Sequence, residues 1–539
     1  MDVPRDYHNS KSGQSSGQGA GRKFTFPVRW HLVGAVGLAC IFLWLQSRSC
    51  SLHPGRDMIT YWASYREIFR VNTEAATLLL FRPPFTPLFF GTLFDLFGAA
   101  GVKVVLSFLY VLCLVTVFVV GAGVSVWVGY LALILLGADI QYYYWFFSVG
   151  SESPQSFLLV LWLAYAFFTF RKTEARYWIV HAAVVWLLIL NRPGNQVMIL
   201  CALFPLVNFD TTIKRRLSLS LVFLISYGTL HISYSSYNYL RVGAFQVSTL
   251  GNAHMPFFRL YLQDRMIRPE NGPKSRELAK LVDDEILPLE VYRQYRIDRD
   301  IFFTYASQRM YNQLVATVGR VYGWDHQWLI LRQAAMEAVE NDPVEFLLTY
   351  VDHLRDVFYI RGDGRFDLSS FNRTRPDYNA LLKKRYAFYK QLGLDIPSEG
   401  DLLPRAKESR VDAIVESYTE QTFFRLKKNP VEWTIPGRYC AYHWGNIFDI
   451  YGITFPFTFF FLCIGMAGVV FWIASKQYVG NIEMLSITSV AFATLATTLM
   501  GSVQFPFRFP YDSIFILFGC FGIYGMYQFL KIFIKIRLV

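Results

Sequence analysis

Ten stretches of this chain are long and apolar enough to read as membrane spans: near 28–46, 101–121, 123–140, 154–170, 176–191, 194–209, 217–238, 451–474, 483–502 and 511–530. A helix rises about 1.5 Å per residue, so roughly 20 apolar residues cross a hydrocarbon core of about 30 Å. The polar stretches between the runs are mostly short. Two are longer. Ser47 to Ala100 contains IleThrTyrTrpAlaSerTyrArgGluIlePhe from Ile59, with apolar residues at helical spacing, which predicts an interfacial helix. The block 241–445 shows helical periodicity in PKSRELAKLVDDEIL from Pro273 and in AAMEAVENDPVEFLLTYVDHLRDVF, with no alternating strand pattern, and predicts a mainly helical domain.

The fold expected is therefore an all-α polytopic membrane protein of about ten transmembrane helices with a mainly helical extracytoplasmic domain. Its parts are a flexible cytoplasmic tail over 1–27, an N-terminal transmembrane core over 28–240 with a first extracytoplasmic loop at 47–100, the domain at 241–445, and C-terminal transmembrane helices over 446–539. The tail is polar and rich in Ser, Gly and Gln, with too few apolar groups to fold alone. The first apolar run is read as a retained span, because no small-residue cleavage site follows it.

Composition agrees with this division. Hydrophobic residues make up 53% of the 539 and charged residues only 17%. Block 241–445 alone holds 56 of the 92 charged side chains, 29 basic and 27 acidic, so it is nearly neutral and water-facing. The overall net charge of +12 comes instead from short stretches such as Arg22-Lys23, Arg171-Lys172, Lys214-Arg215-Arg216 and Lys531 through Arg537. That distribution argues against a nucleic-acid partner. With ten spans and a cytoplasmic N-terminus, the strongly basic short loops fall on the cytoplasmic side, as the positive-inside rule requires.

Ionisable groups are scarce within the runs, which counts against a transporter carrying charge through the bilayer centre. Polar candidates gather instead at span ends predicted to be extracytoplasmic: Asp57, Arg82, Asp139, Glu152, Arg192 and Arg508. Such a ring suits chemistry on an amphiphile at the membrane boundary. The aromatic run QYYYWFF, Gln141 to Phe147, reads either as a surface for sugar rings or polyprenyl chains or as an interfacial belt. The cysteines have no metal or redox spacing. Cys50 and Cys440 fall outside the spans, and a disulfide between them or two separate thiols both fit.

Several stretches resemble, in order along the chain, the membrane glycosyltransferase superfamily called GT-C, which uses polyprenyl-phosphate sugars. GRDMITYWASYREIF from Gly55 is similar to its acidic first-loop motif. FRPPFTPLFFGTLFDLFG from Phe81 is similar to its Arg-Pro-Pro segment, with Thr86 at a usual Tyr. SESPQSFLLVLW from Ser151, LNRPGNQ from Leu190, YNYLRVGAFQVS from Tyr237 and FRFPYDSIF from Phe507 are similar to later segments.

This resemblance implies an inverting transferase that moves a sugar from a polyprenyl-phosphate donor to a glycan or lipid acceptor outside the cytoplasm, in a bacterial inner membrane. A lipid-linked-oligosaccharide flippase and a protein O-glycosyltransferase are the alternatives; a single first-loop acid favours a glycan or lipid acceptor. Asp57 would be the catalytic base, since a lone carboxylate can take the acceptor's proton; its other reading is an interfacial Asp paired with Arg56. Arg82, Arg192, Arg508 and His254 would hold the donor phosphate, as arginine offers two donors to a phosphate; each arginine could also be an anchor snorkelling to lipid head groups. Arg56, Tyr61 and Glu152 are secondary candidates, Glu152 also as a helix-capping acid. No metal-ligand spacing is present, and a divalent cation is left open.

Overall fold

A computed structural model describes residues 27–47, 52–54, 58–69, 80–208, 211–294, 296–304, 306, 308–323, 326–359, 457–475, 481–501 and 507–537. These residues are almost wholly helical; the strand structure among them is one parallel pairing of His53–Pro54 with Ser148–Val149.

Each of the ten apolar runs contains a helix. The helices are Pro27–Ser47, Phe85–Ala122, Val126–Ala138, Glu152–Thr169, Ala175–Asn191, Pro193–Val207, Ile213–Val242, Phe457–Ser475, Asn481–Gly501 and Phe509–Arg537. Among the described residues five are long and apolar enough to cross a membrane by length and composition: Arg29–Ser47, Phe85–Ala122, Ile213–Val242, Ile482–Gly501 and Phe509–Ile534. Four shorter apolar helices accompany them. One of these, Pro193–Val207, is a 3₁₀ helix. At about 2.0 Å per residue its 15 residues reach roughly 30 Å, further than an α-helix of that length.

Large apolar side chains cover the outside of these helices. Trp30 is 72% exposed and Val33 64%, while Ala35 and Ala39 on the opposite face are fully buried. Leu217, Leu221, Ile225 and Ile232 are likewise exposed. A surface this apolar belongs in lipid, and small residues on the inner face let helices approach closely. The Phe457–Ser475 and Phe509–Arg537 helices take this furthest. A Cβ on Gly468 would stand 2.3 Å from the Cα of Gly522, and one on Gly522 would stand 2.3 Å from the carbonyl oxygen of Ile464.

A helix is present where one was expected after Ser47, as Met58–Glu67. It lies on the arm preceding Gly98, where the Trp62 ring meets Phe94 edge-on at 5.5 Å and the Tyr65 hydroxyl donates to Asp95 at 2.9 Å. Gly91 makes the approach possible, since any Cβ there would collide with the Tyr65 ring. The first loop was expected to run to Ala100, yet helix already starts at Phe85. Gly98, with φ of 64°, bends this helix between an arm and a spanning part, a conformation that glycine adopts without a steric penalty.

The described part of 241–445 folds around its own core of Phe257, Tyr261, Leu278, Phe302, Leu314 and Leu331, among others. Its helices include Pro273–Leu281, Gln308–Tyr322, Gln327–Asn341 and Pro343–Tyr359. A buried cluster fastens it to the spanning helices. Arg259 Nε donates to Asp264 at 2.8 Å and its Nη1 to the Met500 carbonyl at 3.2 Å, while His353 Nε2 meets the other Asp264 oxygen at 2.5 Å. The opposite end of the bundle gathers the basic loops: Arg171 pairs with Glu483 at 2.6 Å, and Arg215 donates to the Thr173 carbonyl.

Candidate functional site

A cavity of about 880 Å³ lies where the spanning helices meet this domain. Tyr61, Arg82, Glu152 and Arg192 line it from the helical bundle; Asn312, Arg332 and Glu340 line it from the domain. Met255, Leu260, Met336, Phe346 and Met500 supply apolar wall. Cationic groups beside apolar surface suit a ligand that is anionic at one end and apolar along the rest.

The chain brings Arg192 here through the residue that follows it. Pro193 disfavours α conformation at the preceding position, and Arg192 is extended (φ −140°, ψ 120°), ending the Ala175–Asn191 helix. Its side chain then reaches the start of the Glu152–Thr169 helix, donating to Ser151 Oγ at 3.0 Å and to Glu152 Oε1 at 2.6 Å. The guanidinium also lies 5.1 Å from the centre of the Phe507 ring. Glu152 is thus in the first turn of its helix, where the dipole favours a carboxylate, and is an ion-pair partner as well.

Arg82 likewise precedes proline, in Arg82-Pro83-Pro84. Its guanidinium stands 4.7 Å from the ring centres of both Tyr61 and Phe81, with Nε donating to Thr60 at 3.0 Å and Nη1 to the Tyr61 hydroxyl at 3.4 Å. Held between rings, it keeps a fixed direction.

Beneath the two arginine stretches lies a network of amides. Asn191 Nδ2 donates to the Gln155 oxygen at 2.9 Å and to the Ser151 carbonyl at 3.2 Å, and it receives the Thr86 hydroxyl. Gln155 Nε2 donates to Asn195 Oδ1 at 3.0 Å, which also accepts from Tyr511 at 3.2 Å. Buried polar groups among apolar helices need partners of this kind. The network sets the relative positions of Ser151, Glu152 and Arg192.

Two expected site residues are placed elsewhere. Arg508 does not line the cavity, although its neighbour Phe507 does. Its Nη1 donates to the Val357 carbonyl at 2.9 Å and its Nε lies 3.3 Å from Asp512, so it joins the Pro343–Tyr359 helix to the last span. His254 is buried behind the wall, its ring 5.3 Å from that of Phe81. Burial lowers its pKa to about 4, so it is neutral near pH 7 and offers a phosphate no charge. Asp139 caps the helix Ile140–Phe146, accepting from Gln141 N and Tyr142 N.

Arg56 and Asp57 lie outside the described residues, as do Cys50 and Cys440. The chain beside the first pair is placed: Pro54 pairs with Val149, and Tyr61 lines the cavity. Among the described residues no three His, Cys, Asp or Glu side chains gather as a metal site would need.

Sequence reading missed the amide network and the domain-side residues. Gln155, Asn191 and Asn195 had a visible signal, being amides next to apolar runs. Asn312, Arg332 and Glu340 had none, since nothing in a solvated helix tells which polar residue faces a cavity. No family model, curated protein or solved structure matches this chain.

Proposed function

We propose that this protein is an integral-membrane, inverting glycosyltransferase that moves a sugar from a polyprenyl-phosphate donor to an extracytoplasmic glycan or lipid acceptor. In this reading ten helices span a bacterial inner membrane, both termini are cytoplasmic, and the cavity opens on the extracytoplasmic side. The observation that carries it is the cavity, where Arg82 and Arg192 sit beside apolar wall at the junction of spanning helices and outer domain. The basic loops meeting at the opposite end support the orientation.

The acceptor hydroxyl oxygen attacks the anomeric carbon while Asp57 takes its proton. The bond from that carbon to the phosphate oxygen breaks, the electron pair stays with the phosphate, and polyprenyl phosphate leaves. Negative charge on the leaving phosphate grows in the transition state, so Arg82 and Arg192 would stabilise it more than the bound donor. Tyr61 and Glu152 act through them: one ring carries the Arg82 guanidinium, and one carboxylate orients that of Arg192.

The test is transfer by purified protein in liposomes supplied with a panel of radiolabelled polyprenyl-phosphate sugars. Wild type should transfer from one of them, and Asp57→Asn should lose about 100-fold or more, as expected for a general base. Folded wild-type protein that transports a lipid-linked sugar without transferring it would replace this reading with a flippase.

A further inference from the structure

The Pro343–Tyr359 helix belongs by sequence to the charged block, yet it has three distinct faces. Phe346, Tyr350, His353 and Val357 point inward: Phe346 lies 4.8 Å beneath the Arg259 guanidinium, and the other three make the contacts with Ala496, Asp264 and Arg508. Glu345 and Asp352, seven residues apart, share one flank. The outward face is Val344, Leu347, Leu348 and Val351, respectively 65%, 58%, 62% and 54% exposed, at the i, i+3, i+4, i+7 spacing of a continuous stripe.

The helix runs down beside the spanning helices. Along Asn481–Gly501, contacts with the domain descend from the Met500 carbonyl, bonded by Arg259, to the Ala496 carbonyl, bonded by Tyr350 at 3.0 Å. Lower still, the Phe358 ring stacks on Phe492 at 6.4 Å and meets Phe459 and Phe515 of the two neighbouring spans. Phe492 is about 13 Å of helix below Gly501. The stripe is therefore on a helix whose far end packs, through Phe358, beside the apolar outer surface of the Phe457–Ser475 helix, where Phe459 and Phe460 are 37% and 42% exposed.

We propose that the Pro343–Tyr359 helix is embedded in the leaflet on the domain side, with Val344, Leu347, Leu348 and Val351 against lipid acyl chains. Depth beside the spans and continuity with their lipid-facing surface identify the occupant. The domain is then held to the bilayer by its own side chains in addition to its chain connections.

The full chain in phospholipid nanodiscs tests this. A nitroxide is attached at Leu347→Cys or Leu348→Cys in a cysteine-free background, with Val470→Cys on a spanning helix as lipid reference and Lys280→Cys on the domain as water reference. Collision with oxygen should exceed collision with a water-soluble nickel chelate at 347 and 348, as at 470 and opposite to 280. Collision dominated by the nickel chelate would overturn the proposal by showing a water-facing stripe. Low collision with both, with spin–spin broadening when two labelled copies share a liposome, would overturn it in favour of a second copy. Hydroxyl-radical footprinting of unmodified wild type in the same nanodiscs gives a reading free of substitution: Leu347 and Leu348 should be protected as Val470 is, and oxidation at the level of the domain surface would sink the idea.

Discussion

Arg192 and Glu152, 40 positions apart in sequence, form a 2.6 Å ion pair on the cavity wall, with side chains 10% and 14% exposed. The pair gives Arg192 one fixed direction, and it places a carboxylate where an incoming phosphate would have to compete for the same guanidinium.

Opposite effects are therefore expected from the two partners. Arg192→Ala should slow transfer by about 10- to 100-fold through loss of a charge-assisted contact, and Lys should restore only part of it because the planar fork is gone. Glu152→Gln keeps the shape, frees the arginine's charge, and should tighten donor binding. Transfer rates and binding of a non-transferable donor analogue, measured on all three variants, decide this; wild-type rates for Arg192→Ala would remove that residue from the site.

Arg508→Ala should act on stability. Asp512 is fully buried beside it and also accepts from Thr458 at 2.9 Å, so removing the arginine strands a carboxylate. Losing one partner of a buried ion pair costs about 3–5 kcal/mol. A lower thermal midpoint in detergent, with an unchanged Michaelis constant for donor in the surviving protein, is the expected result; an unchanged midpoint with a raised Michaelis constant would return Arg508 to the donor site.

Gly522→Leu should separate the Phe457–Ser475 and Phe509–Arg537 helices, because no side chain fits 2.3 Å from the Ile464 carbonyl. Overpacking of this kind costs about 1–3 kcal/mol or more. Gly37→Leu, at a position open to the surroundings, is the matched control and should be tolerated. Comparison of monodisperse yield by gel filtration checks both.

His254 gives the protein an acid-sensitive point. Its folded pKa of about 4 lies below the ordinary 6.5, so the unfolded chain binds a proton first as pH falls. Stability from this group is complete above about pH 6.5 and is lost as pH drops towards 4, by roughly 2 kcal/mol at pH 4.5. Thermal midpoints of wild type and His254→Phe from pH 7 to 4.5 should converge or cross on acidification. Parallel curves would show that this imidazole does not remain neutral.

The helices were legible because an apolar run of membrane length has few ways to satisfy its backbone other than as a helix, although the start at Phe85 was not. The helix Met58–Glu67 was legible from spacing: Met58, Tyr61, Trp62 and Tyr65 repeat with the helical period. Arg82 and Arg192 stood out as polar groups at span ends and through the resemblance of their Arg-Pro segments, and both line the cavity. Arg508 had the same look in sequence, an arginine at a span start, yet it turned to Val357 and Asp512, partners supplied by an element about 150 residues earlier and by its own next turn. Direction was the missing quantity.

Local pattern, in short range, sets which residues form a helix and which face is apolar. What lies opposite each face is decided by packing between segments distant in the chain. Gln155, Asn191, Asn195 and Tyr511 met only when four helices closed around them, and Arg332 and Glu340 became cavity residues only when their domain docked on those helices. The stripe at Val344, Leu347, Leu348 and Val351 was read as part of a water-facing block because its neighbours in sequence are charged. Its placement depends on Tyr350 meeting Ala496 and Phe358 meeting Phe492, contacts across 146 and 134 residues that no local periodicity encodes.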